Sequence, residues 1–437
     1  MGYAEIKATA KAAGVNIPSL LPLSCNNDPF FCGSPQNKID AQWFAEIWKS
    51  YGSTGHIRRI HYKILNIVKK PDGELYRNTK ADYTTLNRGS RAARYLGLIA
   101  PEEFTDMRNA EAAILGAWDN DGKTPDATFD QTTWDIPQLS PGDIYEPYVD
   151  INGYDYNTAD QPYVVEVWIE KSTMQKELLP ICQEYQANYV SGTGYTSVTR
   201  IVELLRRSEE TGKPVRIFYL SDFDPAGKNM PVHASRHLQF WKDKYAPGAD
   251  VQLTSLALTK EQQELYHFTT DEAGTKVELD AIEAERPGLF AEIVGEALSL
   301  YHDAEIKSSL RKANKQAYRQ GYRELGIALE PCQDWKDDIQ NRIDAMIAKY
   351  PGIEEEFSIL ADEMRHLESE YEGRGQEVED NFIPPDRPET TYVADDSREW
   401  LYDSSRDYDE QTQVLIDHKN ETPDDDSADD DSDGVDE

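Results

Sequence analysis

The spacing of apolar residues changes along the chain, and each spacing predicts a different kind of element. Between about residues 39 and 97, apolar residues recur every three or four positions in three stretches, which predicts three helices. Between about residues 163 and 258, short apolar runs alternate with helical stretches, which predicts a mainly parallel sheet with helices on both faces. Beyond residue 303 the helical spacing returns. One seam there has heptad spacing and consists of Phe357, Leu360, Met364, Leu367 and Tyr371.

These patterns divide the chain into six predicted segments. They are an irregular leader (1–36), a winged-helix-like DNA-binding domain (37–110), a linker rich in proline (111–160), an α/β domain with an extension (161–302), a helical hairpin (303–373) and a disordered acidic tail (374–437). The winged-helix-like interpretation depends on three short helices of which the third is basic. The helical hairpin is expected to pack on the rest of the chain or on a second subunit.

Charge is distributed unevenly along the chain, whose formal net charge is -36. From residue 374 onward there are 23 acidic and 5 basic residues, a net charge of -18. Between residues 56 and 94 there are 10 basic and 3 acidic residues, a net charge of +7. A local excess of this size is what contacts with phosphates require, although a solvated basic face would look the same.

Other features of the composition exclude some classes of protein. No apolar stretch approaches the roughly 18 residues of a membrane span, and the first residues have no apolar segment of the secretory type. We therefore expect a cytoplasmic protein without a membrane partner. The four cysteines are too few and too scattered for a disulfide framework or a zinc site, which favours free thiols.

Three acidic residues fall where predicted strands end. Glu170 ends the first strand of the α/β region, and Asp222 and Asp224 end the third. The turn after the second strand contains Gly192 and Gly194. The carboxyl ends of parallel strands share one edge of a sheet, so one pocket can hold all of these residues. Carboxylate oxygens are the ligands that Mg²⁺ prefers, and we expect Mg²⁺ as the cofactor.

This arrangement resembles the Toprim fold of DNA primases, topoisomerases and several nucleases. The resemblance is carried by Glu170 at a strand end and by the motif DxDxxG, which here runs from Asp222 through Asp224 to Gly227. It implies an α/β Toprim domain in which Asp222 and Asp224 hold Mg²⁺. Glu170 would be a further metal ligand or a general acid/base.

Three charged residues near this motif have open roles. Lys171 either contacts phosphate or is an ordinary surface lysine. Glu278 and Asp280 lie on one side of a possible strand, VELDAI. They either supply a second metal position or form an exposed strand edge.

The order of the domains is similar to that of the topoisomerase VI A subunit and the related meiotic double-strand-break transesterase. In that family a winged-helix domain with a tyrosine in an R-x-x-YY-like motif precedes the Toprim domain. The segment RRIHY matches this motif, with Tyr62 as the candidate nucleophile and His61 in place of the first aromatic residue. The resemblance implies a homodimer and, because the chain has no P-loop motif, a separate ATPase subunit.

The basic segment supplies further candidates. Arg58 is a candidate catalytic group that would steady the scissile phosphate or lower the pKa of the tyrosine. The expected DNA contacts are Arg59, Lys63, Arg88, Arg91 and Arg94.

Three functions agree with the sequence. The first is a magnesium-dependent DNA transesterase of the topoisomerase VI A type, with Tyr62 as nucleophile. The second is a hydrolytic Toprim nuclease of a mobile element or defence system, whose N-terminal domain only binds DNA and in which Tyr62 is a structural aromatic residue. The third is a DNA-binding protein that keeps the carboxylates for structural reasons alone.

Overall fold

A computed structural model describes residues 2–51, 57–104, 111–116, 124–130, 134, 144–192, 195–270, 276–349 and 354–421. Its helices are α1 (Tyr3–Ala13), α2 (Pro35–Tyr51), α3 (Ile57–Ile64), α4 (Lys80–Tyr95), α5 (Gln175–Tyr185), α6 (Val198–Thr211), α7 (Pro225–Tyr245), α8 (Lys260–Tyr266), α9 (Leu279–Glu285), α10 (Leu289–Ser299), α11 (Ile306–Lys349), α12 (Glu354–Asn381) and α13 (Tyr408–Glu421). Its strands are β1 (Asp126–Asp130), β2 (Tyr148–Asn152), β3 (Val164–Ile169), β4 (Asn188–Ser191), β5 (Val215–Leu220), β6 (Val251–Ala257) and β7 (Tyr402–Asp403). Among the described residues, no helix combines the length and the hydropathy that a membrane-spanning segment requires.

The chain forms two compact units, each built from separate stretches of sequence. The first unit comprises residues 1–119, 161–302 and 392–437, and the second comprises residues 120–160 and 303–391. The predicted boundaries near residues 161 and 302 therefore coincide with points where the chain passes from one unit to the other.

A five-stranded sheet in the order β4-β3-β5-β6-β7 forms the centre of the first unit. The first four strands are parallel, and β7 pairs with β6 in the antiparallel direction. Every residue of β5 is buried, as expected for a parallel strand covered on both faces. The predicted mainly parallel sheet with flanking helices is therefore confirmed.

Alternate residues of β5 pack into two different cores. Ile217 and Tyr219 lie in the core that includes α6 and α7, whereas Phe218 and Leu220 lie in the core that includes α5 and α10. Burial of each large apolar side chain stabilises the fold by about 1.5–3 kcal/mol. The sheet is therefore packed between helices on both faces, with the carboxyl ends of its parallel strands at one edge.

The N-terminal helices α2, α3 and α4 enclose a third core, which includes Phe44, Trp48 and Ile60. Helices α2 and α4 approach closely, because a Cβ atom at Gly89 would lie 2.8 Å from the carbonyl oxygen of Asp40. A tight turn follows α3, and it is closed by an isolated antiparallel bridge between Lys69 and Leu75. The three predicted helices are thus present.

The second unit contains the two long helices α11 and α12 and the antiparallel strands β1 and β2. Its core includes buried Leu360, Leu367 and Tyr371 of the predicted heptad seam, which pack with residues of α11. The helical hairpin extends to Asn381, beyond the predicted end at residue 373. In β1 and β2 the register pairs Phe129 with Val149.

Three segments that were predicted to lack structure contain regular elements. The leader contains α1, whose Ile6 packs with Leu21 and Phe30. The linker prediction for 111–160 is wrong where β1 and β2 form, and the prediction of disorder from residue 374 is wrong as far as Glu421. In that acidic region Trp400 and Leu415 are buried against the sheet domain. Residues 422–437 lie outside the described part of the chain.

Candidate functional site

The three predicted carboxylates lie at the ends of neighbouring strands. Glu170 directly follows β3, and Asp222 follows β5 after one intervening residue. The backbone N–H of Glu170 donates to the carbonyl of Leu220 at 3.1 Å, which continues the β3–β5 ladder by one bond. The N–H of Asp222 donates to Oε2 of Glu170 at 3.3 Å. The sheet therefore brings two of the predicted ligands into direct contact.

The DxDxxG motif forms the turn from β5 into α7. Asp224 is the N-cap of α7, and its Oδ1 accepts from the N–H of Gly227 at 2.7 Å. A Cβ atom at position 227 would lie 2.1 Å from the carbonyl oxygen of Asp222, so only glycine fits this turn. The hydroxyl of Ser221 donates to the carbonyl of Gly227 at 2.8 Å. These contacts fix the shape of the turn that carries Asp222 and Asp224.

Lys171 is an ion-pair partner of the carboxylates. Its Nζ lies 2.8 Å from Oδ2 of Asp222, 3.1 Å from Oε2 of Glu278 and 3.7 Å from Oδ2 of Asp280. Burial opposes the charge of Lys171, but the bonds to Asp222 and Glu278 outweigh it and raise the pKa of the lysine above its ordinary value. The sequence left open whether Lys171 is an ordinary surface residue, and the structure makes it the central cation of this site.

The segment around Glu278 and Asp280 differs from the predicted strand. Only Val277 pairs, in an isolated antiparallel bridge with Phe223, and α9 begins at Leu279. The N–H of Leu279 donates to Oδ1 of Asp222 at 2.8 Å. The start of α9 therefore fixes one oxygen of Asp222 and brings the two further carboxylates to Lys171.

The electrostatic environment of Glu170 favours its protonated form. Burial raises the pKa of the Glu170 carboxyl, and the negative charges of Asp222 and Asp224 raise it further. The N–H of Asp222 and the charge of Lys171 offset part of this effect. A raised pKa makes a carboxyl group a better general acid/base than an ordinary surface glutamate.

The donor atoms of this site agree with Mg²⁺, but a three-ligand arrangement is not preformed. Within the described ranges, no group of three Asp, Glu, His or Cys side chains is arranged to hold a metal ion. One oxygen of Asp224 is committed to its helix cap, and both oxygens of Asp222 accept bonds, from Leu279 and Lys171. Magnesium often takes only one or two carboxylates together with substrate phosphate. Glu170 and the second oxygen of Asp224 could supply such ligands, whereas both oxygens of Asp222 are occupied while Lys171 stays in place.

Lys228 and Glu166 are two charged residues whose roles the sequence did not predict. Lys228 lies in the first turn of α7, with its Nζ 3.9 Å from the ring centre of Phe223. Burial lowers the pKa of Lys228, although the charge of Asp224 opposes the shift. Glu166 of β3 is fully buried and accepts a bond from Arg207 at 2.8 Å, so its role is to join β3 to α6. In the sequence, the position of Lys228 directly after DxDxxG was a signal that this residue lies near the site, whereas Glu166 had no such signal.

The turn after β4 is described only in part. The N–H of Gly192 donates to the carbonyl of Ile169 at 2.9 Å, which places this turn beside the end of β3. Gly194 lies outside the described residues.

Tyr62 lies on the solvent face of α3, and 67% of its surface is exposed. Arg58, Arg59 and Lys63 are exposed on the same short helix. The neighbouring His61 is buried, and its Nδ1 is 2.7 Å from the hydroxyl of Tyr76. The hydroxyl of Tyr62 is therefore accessible to a ligand, whereas His61 helps to hold the helix in place.

Arg58 also faces a second tyrosine. Burial raises the pKa of Tyr83, and the nearby guanidinium of Arg58 opposes that shift. The rings of His61 and Tyr83 meet edge to face at 5.0 Å. Arg58 is thus anchored beside Tyr83 on the same side of the helical cluster as Tyr62.

The three arginines of α4 have partners within the chain. Arg88 pairs with Asp40 at 2.6 Å, and Arg91 donates to Asn27 at 2.6 Å. Arg94 is only 1% exposed, so the expected DNA contact by Arg94 is wrong. Its guanidinium stacks 4.7 Å from the ring centre of Phe104, which places it in the core of this helical cluster. Of the five expected DNA contacts, Arg59 and Lys63 on α3 are therefore the exposed ones.

Comparisons of the chain with protein-family models and with curated proteins found no match.

Proposed function

We propose that the chain breaks DNA strands in a magnesium-dependent reaction at the site formed by Glu170, Asp222 and Asp224, within a Toprim-like domain. The observation that carries this proposal is the contact between Glu170 and the backbone of Asp222 at the ends of two adjacent parallel strands. The carboxylates are close enough for Asp222 and Asp224 to raise the pKa of Glu170. A divalent cation relieves repulsion of this kind, which supports a role in metal binding.

The residues of the site have separable tasks in this reaction. A bound Mg²⁺ would stabilise negative charge on the scissile phosphate. Asp224 would hold the ion, and Asp222 would join it when Lys171 turned toward the phosphate. Glu170 would be either a further ligand in its ionised form or the general acid that gives a proton to the leaving sugar oxygen as the phosphorus–oxygen bond breaks. The raised pKa of Glu170 supports the second role.

We propose Tyr62 as the nucleophile. In the reaction its phenolic oxygen bonds to phosphorus, its proton leaves to a base, and the phosphodiester energy is kept in the covalent link. The exposure of Tyr62 beside Arg58, Arg59 and Lys63 supports this role, since DNA phosphates would be drawn to that face. The resembled family uses the tyrosine of one protomer at the metal site of the other, so a homodimer and a separate ATPase chain belong to the same proposal.

A hydrolytic nuclease is the second candidate function. It is favoured by the buried His61, which stands where the resembled motif has a first aromatic residue and binds Tyr76. With water as the attacking group, the carboxylate site alone performs the chemistry, and the helical cluster would only bind DNA.

The decisive experiment compares Tyr62→Phe with Tyr145→Phe, a matched change at another exposed tyrosine. Supercoiled plasmid is incubated with each protein and Mg²⁺, and the reaction is stopped with detergent to trap covalent adducts. We expect Tyr62→Phe to lose cleavage and adducts while it keeps DNA binding, and Tyr145→Phe to retain both. Undiminished cutting by Tyr62→Phe, without adducts in the wild type, would establish hydrolysis.

Mixing variants tests the dimer. A mixture of Tyr62→Phe and Asp222→Asn chains should regain one working site in each heterodimer, and single-strand attachment should return. A mixture that stays inactive, although both chains form heterodimers, would contradict an active site shared between protomers.

The metal ligands need a variant that keeps the fold. Asp224→Asn keeps the helix cap, because asparagine caps a helix about as well as aspartate. We expect an unchanged melting temperature without metal, loss of cleavage and loss of the stabilisation by Mg²⁺ that the wild type shows. Full Mg²⁺-dependent cleavage by Asp224→Asn would remove this residue from the site.

A further inference from the structure

The first part of α11, in the second unit, presents a row of cations. Lys312, Lys315, Arg319 and Arg323 are exposed, and together with two glutamines they line one open groove. We refer to these four cations as the basic face of α11. The two glutamines of the groove are Gln316 and Gln320.

Helix geometry explains why these side chains share one face. At about 100° per residue, the four cations fall within a sector of roughly 80°. The opposite side of the helix carries Leu310, Ala313 and Ala317, which are buried. The spacing of about 1.5 Å per residue makes the basic face about 17 Å long.

Charge is segregated along α11. Residues 306–323 contain six basic residues and no acidic residue, whereas residues 324–349 contain six acidic and three basic residues. The chain as a whole carries -36. A run of six cations without a compensating acid is therefore a local feature, and the average composition of the protein does not account for it.

The cations of the basic face have no ion-pair partner in the part of the chain that the structure describes. This differs from α4, where Arg88 pairs with Asp40, and from the second half of α11, where Arg342 pairs with Glu363. At its edge lie two half-exposed tyrosines, Tyr318 and Tyr322, whose ring centres are 4.7 Å apart. Solvated cations next to exposed aromatic rings are the groups that nucleic-acid surfaces use.

We propose that the basic face of α11 is a second DNA-binding surface, which contacts the phosphate backbone of a duplex. Its length of about 17 Å corresponds to about five base pairs at 3.4 Å each, and duplex DNA offers one negative charge per ~1.7 Å over that distance. Gln316 adds a neutral donor for phosphate oxygens, whereas the side-chain nitrogen of Gln320 donates to Glu324 and to the carbonyl of Ile383. The surface lies in a different unit from the carboxylates, so this inference extends the proposed function without depending on the cleavage chemistry.

The test measures binding of a 30-base-pair duplex by fluorescence anisotropy at several salt concentrations. Every protein carries Asp222→Asn, which prevents cutting during the measurement. One variant changes the four cations of the basic face to glutamine. The matched control changes four exposed lysines elsewhere to glutamine, with the same change in net charge; they are Lys7, Lys11, Lys260 and Lys349.

We expect the basic-face variant to bind at least about tenfold more weakly at 0.1 M salt and to lose about three to four units from the slope of log K against log salt. The control should change affinity by less than about threefold. A third variant, with Lys312→Arg and Lys315→Arg, should bind like the parent, because arginine also contacts phosphate.

Two results would overturn the inference. One is an equal loss of duplex affinity in the basic-face variant and in the control, which would show that net charge alone determines the affinity. The other is unchanged duplex binding together with weaker binding of polyglutamate, which would identify an acidic polypeptide as the occupant. Circular dichroism of each variant establishes that the helices are intact. The basic-face variant is also made with Asp222 restored, and its cutting of plasmid is measured. If this protein cuts plasmid although duplex binding is weakened, the proposed cleavage site stands independently of the proposed binding surface on α11.

Discussion

The guanidinium of Arg236 donates from Nε to the carboxylate of Asp28 at 3.0 Å, and neither side chain has exposed surface. Arg236 belongs to α7, and its other nitrogens donate to Thr412 at 2.9 Å and to the hydroxyl of Tyr408 at 2.9 Å. The plane of Arg236 also stacks on Phe30, 4.2 Å from the ring centre. One arginine therefore joins the N-terminal residues, the helix that follows the DxDxxG turn, and α13.

Asp28→Asn should destabilise the protein by about 3–5 kcal/mol, because it leaves the Arg236 charge buried without its counter-ion. Urea unfolding followed by tryptophan fluorescence gives the free energy of unfolding. The control is Glu264→Gln in the exposed pair with Lys260, which should cost less than about 0.5 kcal/mol. If Asp28→Asn lowers the free energy of unfolding by less than about 1 kcal/mol, the buried pair of Arg236 and Asp28 is not needed for stability.

Acidification should destabilise the contact between α4 and α7. Burial lowers the pKa of His237 well below its ordinary value, and the positive charges of His233 and nearby arginines add to the effect. The hydroxyl of Tyr95 lies 3.3 Å from Nε2 of His237. A group with a lowered folded-state pKa stabilises the fold above its unfolded pKa of about 6.5, and that contribution is lost as the pH falls.

Unfolding in urea between pH 8 and pH 5.5 measures this loss, which can reach about 1.4 kcal/mol per pH unit below pH 6.5. His237→Gln should be less stable than the wild type at pH 8 but should show a shallower loss on acidification. His366→Gln, at an exposed position on α12, serves as the control and should keep the wild-type slope. If the free energy of unfolding of His237→Gln falls with pH as steeply as that of the wild type, His237 is not the origin of the acid destabilisation.

Gly227→Ala should damage both the fold and the site. Its Cβ would lie 2.1 Å from the carbonyl oxygen of Asp222, so the turn must shift, and we expect a cost of at least about 2 kcal/mol. Gly326→Ala on α11 meets no atom within 4 Å and should stabilise the helix by about 0.5–1 kcal/mol. Thermal melts of both variants suffice, and a Gly227→Ala protein as stable as the wild type would contradict the described turn.

Two truncations separate the folded from the acidic part of the C-terminal region. Removal of residues after Thr391 deletes β7 and buried side chains that include Trp400 and Leu415, so the first unit should unfold. Removal of residues 422–437 deletes nine acidic and no basic residues, which should leave the melting temperature unchanged and tighten DNA binding, most strongly at low salt. The reason is that these acidic residues would compete with DNA phosphates for the basic residues of the protein. Equal affinities of the shorter protein and the full chain for DNA at low salt would refute this competition.

The parallel sheet and its acidic edge could be predicted because their signal is local. Strands β3 and β5 are mostly apolar runs; Glu170 directly follows β3, and Asp222 follows β5 after one residue. Periodicity and position relative to a strand end were sufficient to place the carboxylates at one edge of the sheet. The pairing of β3 with β5, which brings Glu170 and Asp222 into contact, joins residues about 50 positions apart and was not contained in the local pattern.

Other features depend on contacts between distant residues, which a local pattern does not contain. Trp400 and Leu415 belong to short apolar runs within an acidic region, and the average charge concealed their burial in the first unit. Arg94 was counted with a basic surface, although its neighbour Phe104 shields it. Lys171 gained its role from Glu278, which is 107 residues away in the sequence.

The pairing of β7 with β6 also determines when the sheet can be completed during synthesis. Tyr402 pairs with Leu253, so the ribosome must add about 150 further residues before the edge of β6 acquires its partner. The segments of the second unit end at residue 391 and are all made before β7. We therefore expect a nascent chain in which the second unit forms first, while an uncovered strand edge remains open to mispairing with other chains. A strand that is made about 150 residues after β6 thus protects the edge of the sheet that carries the carboxylates.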